Sequence, residues 1–148
     1  MRKSRVTLFM VLMVACVAAS SVADDLSDSR TLEKSIGFKG SGNHRLVVDN
    51  VWGSIVVEGY GGDTVEMKAV ETVCARTTER IELARNEVAL QVLSEDGEVE
   101  LYVDGPFRCR DRHQHGNCWN RWHDKYEVIY DFRIRVPRDA DLEVRTVN

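Results

Sequence analysis

Tyr126-Glu127-Val128-Ile129-Tyr130-Asp131-Phe132-Arg133-Ile134-Arg135-Val136 is the stretch that decides the fold. Tyr126, Val128, Tyr130, Phe132, Ile134 and Val136 fall on one side of a period of two. Glu127, Ile129, Asp131, Arg133 and Arg135 fall on the other. An extended chain points successive side chains to opposite faces, so this alternation describes a strand with one buried face and one wet face. Working outward, the same period recurs. Val65, Met67 and Ala69 alternate with Glu66 and Lys68; Val88, Leu90 and Val92 with Ala89 and Gln91; Val99, Leu101 and Val103 with Glu98, Glu100 and Tyr102. Turn signals divide the runs at Gly59-Tyr60-Gly61-Gly62-Asp63, Glu95-Asp96-Gly97 and Asp104-Gly105-Pro106. The Asp96-Gly97 pair predicts a hairpin over residues 88–103.

One segment breaks the period. Thr77-Thr78-Glu79-Arg80-Ile81-Glu82-Leu83-Ala84-Arg85 has an N-cap residue in Thr77 and an acidic residue early in its first turn. It predicts two turns of helix with Ile81 and Ala84 facing inward, leaning on the sheet because so short a helix is marginal alone. The fold class is therefore all-β with one short helix.

Leu46-Val47-Val48-Asp49-Asn50-Val51 matches Leu142-Glu143-Val144-Arg145-Thr146-Val147 at its Leu, Val and Val positions. The first copy continues Trp52-Gly53-Ser54-Ile55-Val56-Val57, whereas the second reaches Asn148 where a glycine would come next. Repeats of this kind bury their faces by stacking on neighbours, which predicts a solenoid-like or rolled arrangement of short strands. The β domain, 31–148, is expected either to end on an edge strand or to be cut short within the repeat. An exposed C-terminal β edge of this kind is also a surface for oligomer formation.

The chain's 148 residues are 43% hydrophobic and 30% charged, the make-up of one ordinary domain and not of a disordered tail or a multi-span membrane protein. Residues 1–23 read as a secretory signal peptide. Arg2, Lys3 and Arg5 precede an apolar run from Val6 to Ala15, and Ser21-Val22-Ala23 offers a small-x-small cleavage site before Asp24. Met13-Val14-Ala15-Cys16 also resembles a lipobox, an alternative in which Cys16 carries a lipid anchor, although Met13 is a poor leading residue. Cleavage at Ala23 leaves no transmembrane span. Of 20 basic residues the leader takes three, so the remainder has 17 against 24 acidic ones, a net charge of -7. That balance argues against a nucleic-acid partner. Residues 24–30 are polar and read as a loose N-terminal lead. Export puts the chain in the periplasm or on the cell surface, where disulfides persist, and three cysteines remain: Cys74, Cys109 and Cys118.

The pattern Leu46-x-Val48-x-Asn50-Val51-x-Gly53-x-Ile55-x-Val57-x-Gly59 resembles a family of bacterial exported adhesin-like domains built from β-strand repeats. Glu33 and Phe38 echo the lead before that family's first strand. Val136-Pro137 followed by Leu142 to Val147 echoes a later step. The resemblance spans residues 31–148 and implies a solenoid-like or rolled β fold with no catalytic residues. Its further repeats are lacking after Asn148, and the segment between Phe107 and Lys125 is an insertion.

That segment, 107–125, carries the unusual chemistry. It contains five basic residues against two acidic ones, three of the four His and two of the three Trp. A long loop joining two strands is usually functional or disordered. Three readings follow from its residues. A Cys109–Cys118 disulfide would close a loop of about ten residues and contribute roughly 2.7 kcal/mol on the chain-entropy argument, leaving Cys74 a buried, inert thiol. A metal site would draw on His113, His115 and His123 with the cysteines, in a spacing that matches no standard zinc pattern. A binding surface would use Arg108, Arg110, Arg112 and Arg121 for anionic groups and Trp119 and Trp122 for stacking. The same tryptophans could instead cover the open end of the core.

Enzyme signatures are weak. Gly37-Phe38-Lys39-Gly40-Ser41-Gly42 does not lie between a strand and a long helix, as a phosphate loop must. No nucleophile-elbow motif occurs. Asp49, Glu58 and Glu66 are single carboxylates, and His44 precedes a strand without an evident partner. The reading is an exported, non-catalytic β-repeat protein without a cofactor. It would act in cell-envelope structure or adhesion, binding an envelope polymer or surface protein through 107–125. The alternative is a small periplasmic metal-binding protein using the same loop.

Overall fold

The computed structural model describes residues 25–108 and 125–146. Eight strands and one helix follow in the order β1 (Leu26–Gly37), β2 (Arg45–Asn50), β3 (Ile55–Tyr60), β4 (Thr64–Ala75), α1 (Thr78–Glu87), β5 (Ala89–Glu95), β6 (Glu98–Asp104), β7 (Glu127–Pro137) and β8 (Asp141–Thr146). They form two four-stranded mixed sheets, ordered β1-β4-β7-β3 and β5-β6-β2-β8. The all-β expectation with one short helix is what the structure contains. The signal segment 1–23, Cys16 and residues 109–124 lie outside the described residues. Among the described residues no helix is long and apolar enough to cross a membrane.

The stretch quoted first becomes β7, and its alternation sets the packing. Tyr126, Val128, Tyr130, Phe132, Ile134 and Val136 are all buried. They join Val65, Met67, Ala69, Val73 and Ala75 of β4 in one cluster with Leu46 and Val48 of β2 and Val99, Leu101 and Val103 of β6. Both sheets therefore turn their apolar faces into a single core, the sandwich arrangement that hides one face of each. The hairpin forms as predicted, β5 antiparallel to β6 with Glu95 opposite Glu98. Asp96 (φ 47°) and Gly97 (φ 83°) both take the left-handed conformation that a two-residue turn of matching twist requires. The helix also forms as predicted, with Thr77 as N-cap and Ile81 and Ala84 buried.

The sequence repeat has a direct spatial counterpart. β8 runs parallel to β2 with Leu142 beside Leu46 and Val144 beside Val48. β3 likewise runs parallel to β7. The turn from β2 into β3 crosses between the sheets beneath Tyr130. Asn50, 1% exposed, donates from Nδ2 to the Tyr130 carbonyl at 2.9 Å and accepts from the Val51 amide. Gly53 (φ 109°) sits so close that a Cβ there would lie 2.1 Å from the same carbonyl oxygen. This explains the Asn50-x-x-Gly53 spacing: the amide satisfies a buried carbonyl, and only glycine leaves room for it.

One expectation is corrected. Residues 26–30 are not a loose lead but the first half of β1, which pairs with β4 along its whole length from Leu26↔Ala75 to Gly37↔Thr64. Ladder hydrogen bonds are made by the backbone, so a polar edge strand needs no apolar pattern of its own. The ordered domain accordingly begins before residue 31.

Candidate functional site

The 107–125 segment leaves and re-enters the sandwich at two well-fixed points. After β6, Asp104 accepts from the Gly105 amide at 2.9 Å, and Arg108 N–H donates to the Gly105 carbonyl at 3.0 Å, closing a tight turn. Phe107 drops into the core and meets Trp52 edge-on, with ring centroids 5.5 Å apart. On the far side, Tyr126 is buried, and its phenol donates to Glu87 of α1 at 2.5 Å. Burial, and then the Glu87 carboxylate, push the Tyr126 phenol well above its ordinary pKa.

Of the residues assigned to the segment's binding, disulfide and metal readings, the described part of the chain contains Arg108. Its guanidinium is committed to the fold. Nε donates to the Val103 carbonyl at 2.8 Å, Nη2 pairs with Asp49 at 2.8 Å, and the group lies 4.1 Å over the Tyr102 ring. Arg108 is thus the anchor of the segment, and this contact neutralises Asp49, which is only 8% exposed. Arg110, Arg112, His113, His115, Trp119, Arg121, Trp122, His123 and the pair Cys109 and Cys118 lie outside the described residues.

Beside the returning end is a pocket of about 410 Å³ lined by Asp25, Cys74, Arg76, Arg80, Lys125, Tyr126 and Glu127, among others. Three cations face two carboxylates there, and Arg76 lies 3.9 Å from Asp25. Cys74 is not buried, contrary to the sequence reading. β4 turns Val73 and Ala75 inward, so Cys74 between them faces outward, half-buried, with Sγ 3.7 Å from Ser27 Oγ.

A second groove, of about 630 Å³, crosses the outer face of the β1-β4-β7-β3 sheet. Lys68 stands opposite Arg133 in register, and Lys68 reaches Glu33 at 2.8 Å. Arg135 pairs with Glu66 at 2.7 Å and lies 4.3 Å over the Tyr60 ring. With Glu58 and Lys34 also lining it, three carboxylates stand against four cations. This groove and the pocket at the segment's root therefore each carry an excess of one cation. What sets the root apart is its place beside the basic segment, through Lys125.

Inside the core the structure contains a charge the sequence reading missed. Glu71 is fully buried in the inward row of β4. Tyr130 donates to its Oε1 at 2.5 Å, Arg30 of β1 donates to the same oxygen at 2.9 Å and also pairs with Oε2, and Arg85 of α1 lies 3.6 Å from Oε2. Arg85 continues to Asp28 at 2.8 Å. The signal was present: counting by two from Val65 puts Glu71 in phase with Met67, Ala69 and Val73. Oε1 takes both hydrogen bonds, while Oε2 faces the charges of Arg30 and Arg85, and the network ties β1 and α1 to the sheet.

His44 has a partner after all, stacking on Phe38 with ring centroids 4.3 Å apart. Among the described residues no three His, Cys, Asp or Glu side chains are grouped as a metal site would require. Comparison with protein-family models, curated proteins and solved structures finds no match.

Proposed function

We propose that the protein is an exported, non-catalytic β-repeat domain with a structural or adhesive role at the cell envelope. Its contact surface would be the 107–125 segment together with the pocket at its root. The observation that carries this reading is the position of Lys125. It belongs to the basic segment and also lines the pocket with Arg76 and Arg80. Lys125 of the segment therefore stands with two cations of the sandwich in a mature chain whose net charge is negative. Clustered guanidinium groups suit phosphate, sulfate or carboxylate, and indole rings suit the faces of sugars, so an anionic envelope polymer fits both. The firm attachment at Phe107, Arg108 and Tyr126 supports a loop displayed on a rigid base. The in-register stacking of Leu46 on Leu142 and of Val48 on Val144 supports the solenoid-like β-repeat reading and with it the adhesin-like resemblance.

The test is a binding assay on the mature chain. Replacing Arg110, Arg112, Trp119 and Trp122 together by alanine should abolish retention on envelope polymer while leaving the thermal midpoint nearly unchanged. Binding equal to that of the unsubstituted protein would remove the loop as the contact surface. A large fall in the midpoint would mean that the tryptophans cover the core instead. Stoichiometric zinc or copper on protein recovered from the periplasm would move the function to His113, His115 and His123.

A further inference from the structure

We propose that the outer edge of β8 pairs with β8 of a second copy of this chain, antiparallel and centred on Val144. Three observations meet at this edge. First, β8 is the last strand of its sheet among the described residues, with β2 on one side only. Asp141–Thr146 has no lysine or proline, and its charges Glu143 and Arg145 are of opposite sign. Elsewhere, Arg138 lies across the end of β3 at Gly59, and Ser94 of β5 donates to the Gly37 carbonyl at 2.7 Å.

Second, β8 leaves apolar surface uncovered. Register puts Leu142 and Val144 on the same face as Leu46 and Val48, which are wholly buried. At the sheet's end Leu142 is 48% exposed and Val144 44%. A strand added at this edge would extend the sheet and cover part of that surface.

Third, the charges of β8 are self-complementary in one register. Residues directly opposite in an antiparallel pair share a face. Centring on Val144 sets Val144 against its own copy, Leu142 against Thr146, and Glu143 of each chain against Arg145 of the other. Glu143 already pairs with Arg145 and Arg45 of its own chain. The two-fold axis would merge these into one alternating cluster. Centring on Glu143 instead would oppose two carboxylates. One strand pair is a small interface, so the association is concentration-dependent.

Light scattering across micromolar to near-millimolar protein should show a rise from one chain to two. E143R gives a strand with cations at both charged positions, and R145E gives one with carboxylates at both. Each variant alone should remain monomeric. Their equimolar mixture should recover a dimer holding one copy of each, read by native mass spectrometry. Any fold defect of a single variant persists in the mixture, so recovery there reports pairing. An unsubstituted chain that stays monomeric, single variants that still dimerise, or a mixture that fails to recover would each overturn the proposal.

Discussion

Glu71 is where the alternation carries a charge into the core, and its energetics rest on its donors. A buried carboxylate is tolerated when hydrogen bonds and opposite charge replace its water. Here Tyr130, Arg30 and Arg85 supply them. Burial first, and then the hydrogen bond to Glu71, hold the Tyr130 phenol well above its ordinary pKa, with Arg30 pulling slightly the other way. The sign follows from proton counting. Above about pH 10 the unfolded chain releases this proton while the folded chain keeps it, so stability is complete below that pH and falls as pH rises through the folded-state value. Tyr126 adds to the same trend through burial and Glu87. Denaturant unfolding between about pH 9 and about pH 11 should therefore lose up to about 1.4 kcal/mol per pH unit for each tyrosine above pH 10. Tyr130→Phe should cost about 1.5 kcal/mol at neutral pH through the lost bond to a charged acceptor, and should flatten the alkaline slope. An unchanged slope would show that Tyr130 ionises as freely folded as unfolded. Glu71's inward phase was legible in the sequence. Its partners were not, because Arg30 and Arg85 reach it from strand and helix neighbours that only the tertiary fold brings together.

At the scale of elements, the helix was the most legible and β1 the least, for opposite reasons. α1 is announced by local chemistry: the Thr77 hydroxyl accepts from the Arg80 amide at 3.4 Å. Glu79 is held below the usual carboxylate range, by its own backbone amide first and then by the Thr77 hydroxyl. Such signals lie within a few residues and survive in any reading of the chain. β1 carries no local signal over Asp28-Ser29-Arg30 and exists because β4 offers it a ladder, with Ser29 Oγ 2.9 Å from Thr72 Oγ1 as a cross-strand contact. Since α1 buries only Ile81 and Ala84 of its own side chains, its cap carries a large share of its local stability. Thr77→Ala should lower unfolding free energy by about 1 kcal/mol, and Thr77→Ser should restore most of it. Urea titration decides this. A Thr77→Ala protein within a few tenths of a kcal/mol of the unsubstituted chain would mean that packing alone holds the helix.

For the whole molecule, the decisive feature is that each sheet is assembled from distant parts of the chain. β2 takes β8 on one side and β6 on the other, and β3 takes β7. The match between residues 46–51 and 142–147 marked two strands of like pattern but did not say that they would pair with each other. It carried no information that β6 would fill the other side of β2, since the turn residues fix the hairpin but not its neighbour. Neither sheet has a core of its own: the buried cluster draws on β4 and β7 from one and on β2 and β6 from the other. The β2–β3 and β7–β8 connections cross between the sheets, so parting them would strip the apolar face of both at once. Unfolding should therefore be all-or-none. Trp52 is a natural reporter, half-buried at the β2–β3 crossing and in contact with Phe107. In a Trp119→Phe, Trp122→Phe background its fluorescence and the far-ultraviolet circular dichroism should trace one urea transition with a common midpoint. Refolding should be slow for the chain's size, in the millisecond-to-second range of non-local β folds. A separate, earlier loss of the Trp52 signal would mean that the crossing opens while the sheets persist. The two sheets would then have to be treated as units with independent stabilities.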